Sequence, residues 1–285
     1  MPRPLFISSI ILCVALFGLG IFFIIQAANS STDRPLEDVA NIHYDVPYCK
    51  TDNIRQTFDA YIPKTDIKPT VLIYIHGGGW KEGDKDNEIE TEYAEVLANR
   101  GIASISIDYR LSNEATYPAQ NQDVQCAIDY LRSGSHNLPI QTNQFVIMGD
   151  SAGGQLAAIE ALDRKELYNG VIMAYGVSDL WTQIQDYKDN NAAGYLGTVN
   201  KELAEQASPD NETLEGSPDF LIIHGMEDTI VPASESLSFA NKLRNSAVSV
   251  IYVPIKGASH AFLGSRDTSD EEAKGHILNF LTSRQ

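Results

Sequence analysis

Phe145-Val146-Ile147-Met148-Gly149-Asp150-Ser151-Ala152-Gly153-Gly154 is the stretch on which the fold turns. Its opening apolar run has the character of a buried strand, and Gln155-Leu156-Ala157-Ala158-Ile159 continues as a helix. Between them lies G-x-S-x-G, formed by Gly149, Ser151 and Gly153. A strand that turns sharply into a helix leaves little room beside the turn residue, so its neighbours must be small. The turn holds the serine in a strained backbone conformation and lifts its hydroxyl clear of the sheet. Ala152 then opens the helix with a free N–H, placed to meet a developing oxyanion. An ordinary glycine-containing turn would show the same pattern. The rest of the chain must therefore supply the partners of a nucleophile.

Working outward, strands and helices alternate. Gln56 to Ile62 predicts a first strand ending at Pro63, and Val71-Leu72-Ile73-Tyr74-Ile75 is a continuous apolar run suited to a strand covered on both faces. A helix is expected from Glu88 to Asn99, stopped by Gly101, and a buried strand from Ile102 to Ile107. Pro118 introduces a helix carrying Val124, Ala127, Ile128 and Leu131 at helical spacing. Beyond the central motif come a strand at 171–175, a polar irregular segment at 178–218 with helical pattern near 201–206, and a strand at 220–224. A helix at 233–245, a strand at 248–253 and a last helix from Ser269 follow, the last opened by a Ser269-x-x-Glu272 capping box. The fold class is α/β, a mostly parallel sheet with helices on both faces, whose sites gather at the carboxyl ends of the strands.

His76-Gly77-Gly78-Gly79-Trp80 stands at such an end. Successive glycines let backbone N–H groups approach a ligand without Cβ interference. Phosphate cradling is a rival use, but no Lys-Ser or Lys-Thr follows and no GxGxxG is present. Beside Ser151, the N–H groups of Gly78, Gly79 and Ala152 read as an oxyanion hole, with Trp80, Asp150 and Phe262 expected at the substrate.

A serine hydroxyl needs a base. His43 and His136 sit in polar connections, His276 lies within the last helix, and His76 and His224 end strands as loop ties. His260, between the final strand and the final helix, can reach over the sheet edge and is the expected base. Asp228 leaves the preceding strand and is the expected carboxylate, with Asp179 the alternative and Glu227 pointing elsewhere in a tight turn. The order Ser151, Asp228, His260 is that of one known arrangement of such triads. No HExxH or CxxC pattern suggests a metal.

These pieces resemble the α/β-hydrolase esterases related to hormone-sensitive lipase and the acetyl-xylan/feruloyl-esterase-like carboxylesterases. The resemblance rests on HGGGW at 76–80, DYRL at 108–111, GDSAGG at 149–154, HGMEDTIVP at 224–232 and SHAF at 259–262, with Phe58-Asp59-Ala60-Tyr61-Ile62-Pro63 as an early strand. It runs from about residue 45 to the end of the chain. It implies a carboxylic-ester hydrolase acting on small or short-acyl esters through an acyl-enzyme, without a cofactor, in a compact form with an open site. Amide, formamide or peptide hydrolysis by the same triad is the nearest alternative. A non-catalytic surface binding protein on this fold is another, though such proteins usually lose a triad member.

At 285 residues, with 43% apolar residues, the chain can bury a sizeable core. A formal charge of −17 argues against nucleic acid or an anionic membrane surface as partner. Residues 5–25 contain no charged side chain and are long enough to cross the hydrocarbon of a membrane. The expectation is a signal anchor or signal peptide over 1–28, a linker over 29–42 and a catalytic domain over 43–285. The catalytic part is then extracytoplasmic, membrane-anchored or secreted after cleavage. Cys49 and Cys126 lie too far apart to give a framework signal and are read as separate, partly buried thiols. Nothing in the sequence fixes an oligomeric state.

Overall fold

The computed structural model describes residues 34–285. The anchor expected over 5–25 and any cleavage near residue 28 lie outside the described residues. The chain runs α1 (Leu36–Val39), β1 (Ala40–Pro47), β2 (Thr57–Pro63), β3 (Val71–Ile75), α2 (Glu88–Ala98), β4 (Ala103–Ile107), α3 (Ala119–Ser133), β5 (Phe145–Asp150) and α4 (Ala152–Asp163). It continues with β6 (Tyr168–Ala174), α5 (Leu180–Gln185), α6 (Asn190–Leu196), α7 (Lys201–Gln206), β7 (Phe220–Gly225), α8 (Ala233–Asn245), β8 (Val250–Ile255) and α9 (Thr268–Thr282).

The strands form one sheet in the order β1-β2-β4-β3-β5-β6-β7-β8. β1 and β2 pair antiparallel, as do β2 and β4, and every other neighbour is parallel. Side chains alternate across a pleated strand, so each apolar run feeds two cores. Ile73, Ile147 and Ile222 face the cluster built with α3, α4 and α8. Leu72, Tyr74, Val146, Met148 and Leu221 face the cluster built with α2 and α9. That double burial is why these strands read as unbroken hydrophobic stretches. It fixes β5 at the centre of the sheet, with its carboxyl end between those of β3 and β6.

Three expectations change. The segment expected as a linker to residue 42 carries α1 and the start of β1, with Val39 and Ala40 buried against Ala98. The last helix begins at Thr268, capped by Asp267, whose carboxylate accepts the N–H groups of Ser269 and Asp270; the proposed box begins inside the helix. Cys49 and Cys126 are not separate thiols but a disulfide, bridging 77 residues of chain. It joins the segment after β1 to the middle of α3, two places that only the folded sheet brings together.

Candidate active site

Ser151 lies between β5 and α4 at φ 50° and ψ −119°, a region that residues with a Cβ seldom adopt. Its neighbours explain the tolerance for this turn. A Cβ on Gly149 would lie 2.2 Å from the carbonyl oxygen of Gly153, and one on Gly153 would lie 2.1 Å from that of Ile75. The Ser151 N–H donates to the Ala174 carbonyl at 2.9 Å, fastening the turn to β6.

The structure brings three predicted side chains together above this turn. Ser151 Oγ is 2.9 Å from His260 Nε2, and His260 Nδ1 is 2.6 Å from Asp228 Oδ2. Nδ1–H therefore donates to the carboxylate and leaves Nε2 to accept the serine proton. Asp228 Oδ1 accepts the N–H groups of Ile230 and Val231, each at 2.9 Å. Burial works against the charge of Asp228. Hydrogen bonds from His224 and His260 outweigh it and hold the carboxyl well below its ordinary range. Asp179 is occupied elsewhere: it caps α5, accepting from the Thr182 N–H and hydroxyl. Glu227 is exposed.

His224 does more than tie a loop. Its Nε2–H is shared between Asp228 Oδ2 at 3.1 Å and the Val231 carbonyl at 2.7 Å, while Nδ1 accepts from the Ser236 hydroxyl. It thus holds the same carboxylate oxygen that His260 engages. Its signal in the sequence was its place four residues before Asp228, at the end of the same strand. Tyr175, missed in the sequence, packs its ring at 5.0 Å from His260 and 5.1 Å from Phe262.

Gly78, Gly79, Ser151, Ala152 and His260 share a cleft of about 290 Å³. Among the described residues no acceptor engages the N–H groups of Gly78, Gly79 or Ala152. Gly78 needs to be glycine: its φ is 97° and a Cβ would sit 2.1 Å from the Glu82 carbonyl. Trp80 lines the cleft but is buried, stacked on Tyr195 at 4.7 Å with its indole N–H on Gln155. Asp150 also borders the cleft. Its carboxylate serves the loop, accepting from the Tyr74 hydroxyl at 2.7 Å and the Gly77 N–H at 3.0 Å. Burial nonetheless pushes its pKa up. Phe262, expected at the substrate, is instead a core residue packed beneath Tyr175, because its side chain leaves the His260 loop toward the α9 face. His76 is buried and stacked on Tyr109 at 4.3 Å, as a loop tie should be.

A family model described as BD-FAE matches residues 58–243, a span holding the glycine loop, the serine turn and the carboxylate. The chain belongs to the BD-FAE family. It is 30% identical over 216 residues to Esterase LipC of Mycobacterium tuberculosis, covering 67% of this chain and 53% of LipC. The chain spans about half the length of the curated relatives it matches first. Among solved structures, a truncated carbohydrate esterase from gut microbiota superposes with a TM-score of 0.77 at 24% identity, covering 86% of this chain and 96% of that one. Inhibited Esterase B from Lactobacillus rhamnosis gives 0.75 at 20% identity, with 96% of each chain covered. At these identities the structural likeness speaks for the fold, and the fold is that of the α/β hydrolases.

Proposed function

We propose that this protein is a serine carboxylic-ester hydrolase whose nucleophile, proton-transferring base and orienting carboxylate are Ser151, His260 and Asp228. The unbroken run of hydrogen bonds from serine hydroxyl through imidazole to carboxylate carries the reading. The family and the esterase relatives support it. Ser151 attacks the ester carbonyl as His260 takes its proton. The Gly78, Gly79 and Ala152 N–H groups receive the oxyanion, each such donor typically worth about 3–4 kcal/mol in the transition state. His260 returns the proton to the leaving alcohol. Water, activated by the same imidazole, then releases the acid from Ser151. Asp228 keeps the ring oriented and stabilises it when charged. A Cys49–Cys126 disulfide suits an oxidising compartment, which supports the extracytoplasmic placement expected from residues 5–25.

Ser151→Ala should lower turnover of p-nitrophenyl acetate by on the order of 10⁴-fold or more. It should also abolish labelling by a fluorophosphonate probe. Near-normal turnover in the variant would refute the assignment, and an aryl formamide run alongside reports whether C–N bonds are cleaved as well.

A further inference from the structure

Resting on the esterase reading, we propose that the cleft selects among esters by charge, favouring leaving groups that carry a cation and rejecting those that carry an anion. Among the described residues, the ionisable side chains on its wall, apart from His260, are Glu82, Asp150 and Asp189, and neither lysine nor arginine lines it. The backbone that builds the oxyanion loop and its neighbour brings two acidic residues to the rim, Asp189 with its carboxylate bonded and Glu82 with its stem against Gly78. The Glu82 N–H bonds the Gly78 carbonyl at 3.1 Å, so the residue turns back on that glycine, and its Cγ lies 3.3 Å from where a Gly78 Cβ would stand. Asp189 caps α6, its Oδ1 accepting the Asn191 N–H at 2.8 Å. Asn191 in turn lies against Gly79, its Nδ2 2.8 Å from the position of a Gly79 Cβ.

The lysines next to these carboxylates in sequence form no ion pair with them among the described residues. Lys188 precedes Asp189, but its ammonium bonds the Gln185 carbonyl. Lys81 is exposed and lies outside the lining. The formal charge of −17 adds a negative field over the whole body. A carboxylate or sulfonate on the leaving group would enter a cleft with no lysine or arginine among its described lining residues, whereas an ammonium would find two acidic side chains at the rim. Repulsion of the wrong charge is an effective way to discriminate among substrates of one size. Walls of low dielectric strengthen the effect, and dissolved salt weakens it.

The test uses acetyl thioesters of matched size, followed by release of free thiol. They are acetylthiocholine, its uncharged isostere 3,3-dimethylbutyl thioacetate, and the S-acetyl derivative of 3-mercaptopropanesulfonate. At low ionic strength kcat/KM should fall in that order, spanning about tenfold or more from first to last, as expected of electrostatic focusing in a charged cleft. The span should narrow several-fold in 0.5 M salt and again in Glu82→Gln/Asp189→Asn, where asparagine keeps a capping side chain. Equal rates for the anionic and uncharged esters at low salt would overturn the proposal. An order indifferent to both salt and the double substitution would overturn it too, since shape would then be the cause. If the wild-type protein cleaves the thioesters without charge order, only this inference fails. If it cleaves neither them nor p-nitrophenyl acetate, the esterase reading falls with it.

Discussion

At the scale of single residues, the site depends on groups that hold the reacting ones. Asp228 is held ionised between two imidazoles and two backbone N–H groups. Replacing it with asparagine puts a donor where His260 Nδ1–H needs an acceptor, favouring the wrong tautomer. Turnover of p-nitrophenyl acetate by Asp228→Asn should drop by about 10³–10⁴-fold. The same carboxyl contributes to stability with a definite sign. Its pKa is depressed in the fold, so its contribution is present above the ordinary carboxylate range and is lost as pH falls through the folded value. Acid unfolding followed by circular dichroism should therefore be flatter in the asparagine variant. Gly79 makes a second case, with φ at 59° and Asn191 Nδ2 only 2.8 Å from where its Cβ would stand. Gly79→Ala should fold yet lose about 10²-fold in kcat, the order expected when a reacting group is misplaced by about an ångström. A variant with unchanged kcat would show that the loop gives way freely.

Among the elements, the segment from β6 to β7 borders the cleft and is pinned by one buried glutamate. Glu235, on α8, accepts the N–H groups of Ser178 at 2.7 Å and Asp179 at 2.9 Å, and the Gln183 amide at 2.6 Å. Burial outweighs these bonds and pushes its pKa up to about 7. Between the ordinary value of 4.5 and about 7 the folded protein holds a proton that the unfolded chain releases. Stability from this group therefore falls as pH rises through that window, by on the order of 3 kcal/mol in all. Glu235→Gln keeps the shape and removes the titration. Urea midpoints at pH 5 and pH 8 should differ less in the variant than in the wild type, and an unchanged difference would clear Glu235 of the effect.

This same segment shows why some of the chain was legible in its sequence and some was not. β3, β5 and β7 are buried on both faces, so hydrophobicity alone marks them, and the catalytic candidates follow at their ends. α7 (Lys201–Gln206) was legible as helical pattern near 201–206, whereas α5 and α6 are too short to show a helical period. Further readable marks of the three were the side-chain caps Asp179, Asp189 and Asn200. β1 lies at the edge of the sheet with most of its residues outside the core, so it carries no apolar run. Phe262 shares a motif with His260, but adjacency in sequence does not fix the side a residue faces once the backbone turns. Ala261, between them, has φ of 55°.

For the whole molecule, the bond between Cys49 and Cys126 closes a loop of 77 residues through β2, β3, β4 and much of α3. Linking such distant points restricts the unfolded chain more than the folded one. Cys49→Ser/Cys126→Ser should lose about 2–4 kcal/mol of unfolding free energy, read from denaturant midpoints with and without reductant. Wild-type protein indifferent to reductant would overturn that expectation.

The helix behind Ser151 has a consequence of its own. Every residue of α4 from Ala152 to Leu162 is buried, and Gln155 within it ties down both Trp80 and the Ala207 carbonyl. His260 is instead carried on a loop near the sheet edge, with exposed residues on either side. Amide protons of α4 should consequently be among the last to exchange with heavy water, and those of residues 259–261 among the first. Gentle warming would then silence the enzyme by letting the imidazole drift from a serine that has not moved, and cooling would restore it without refolding.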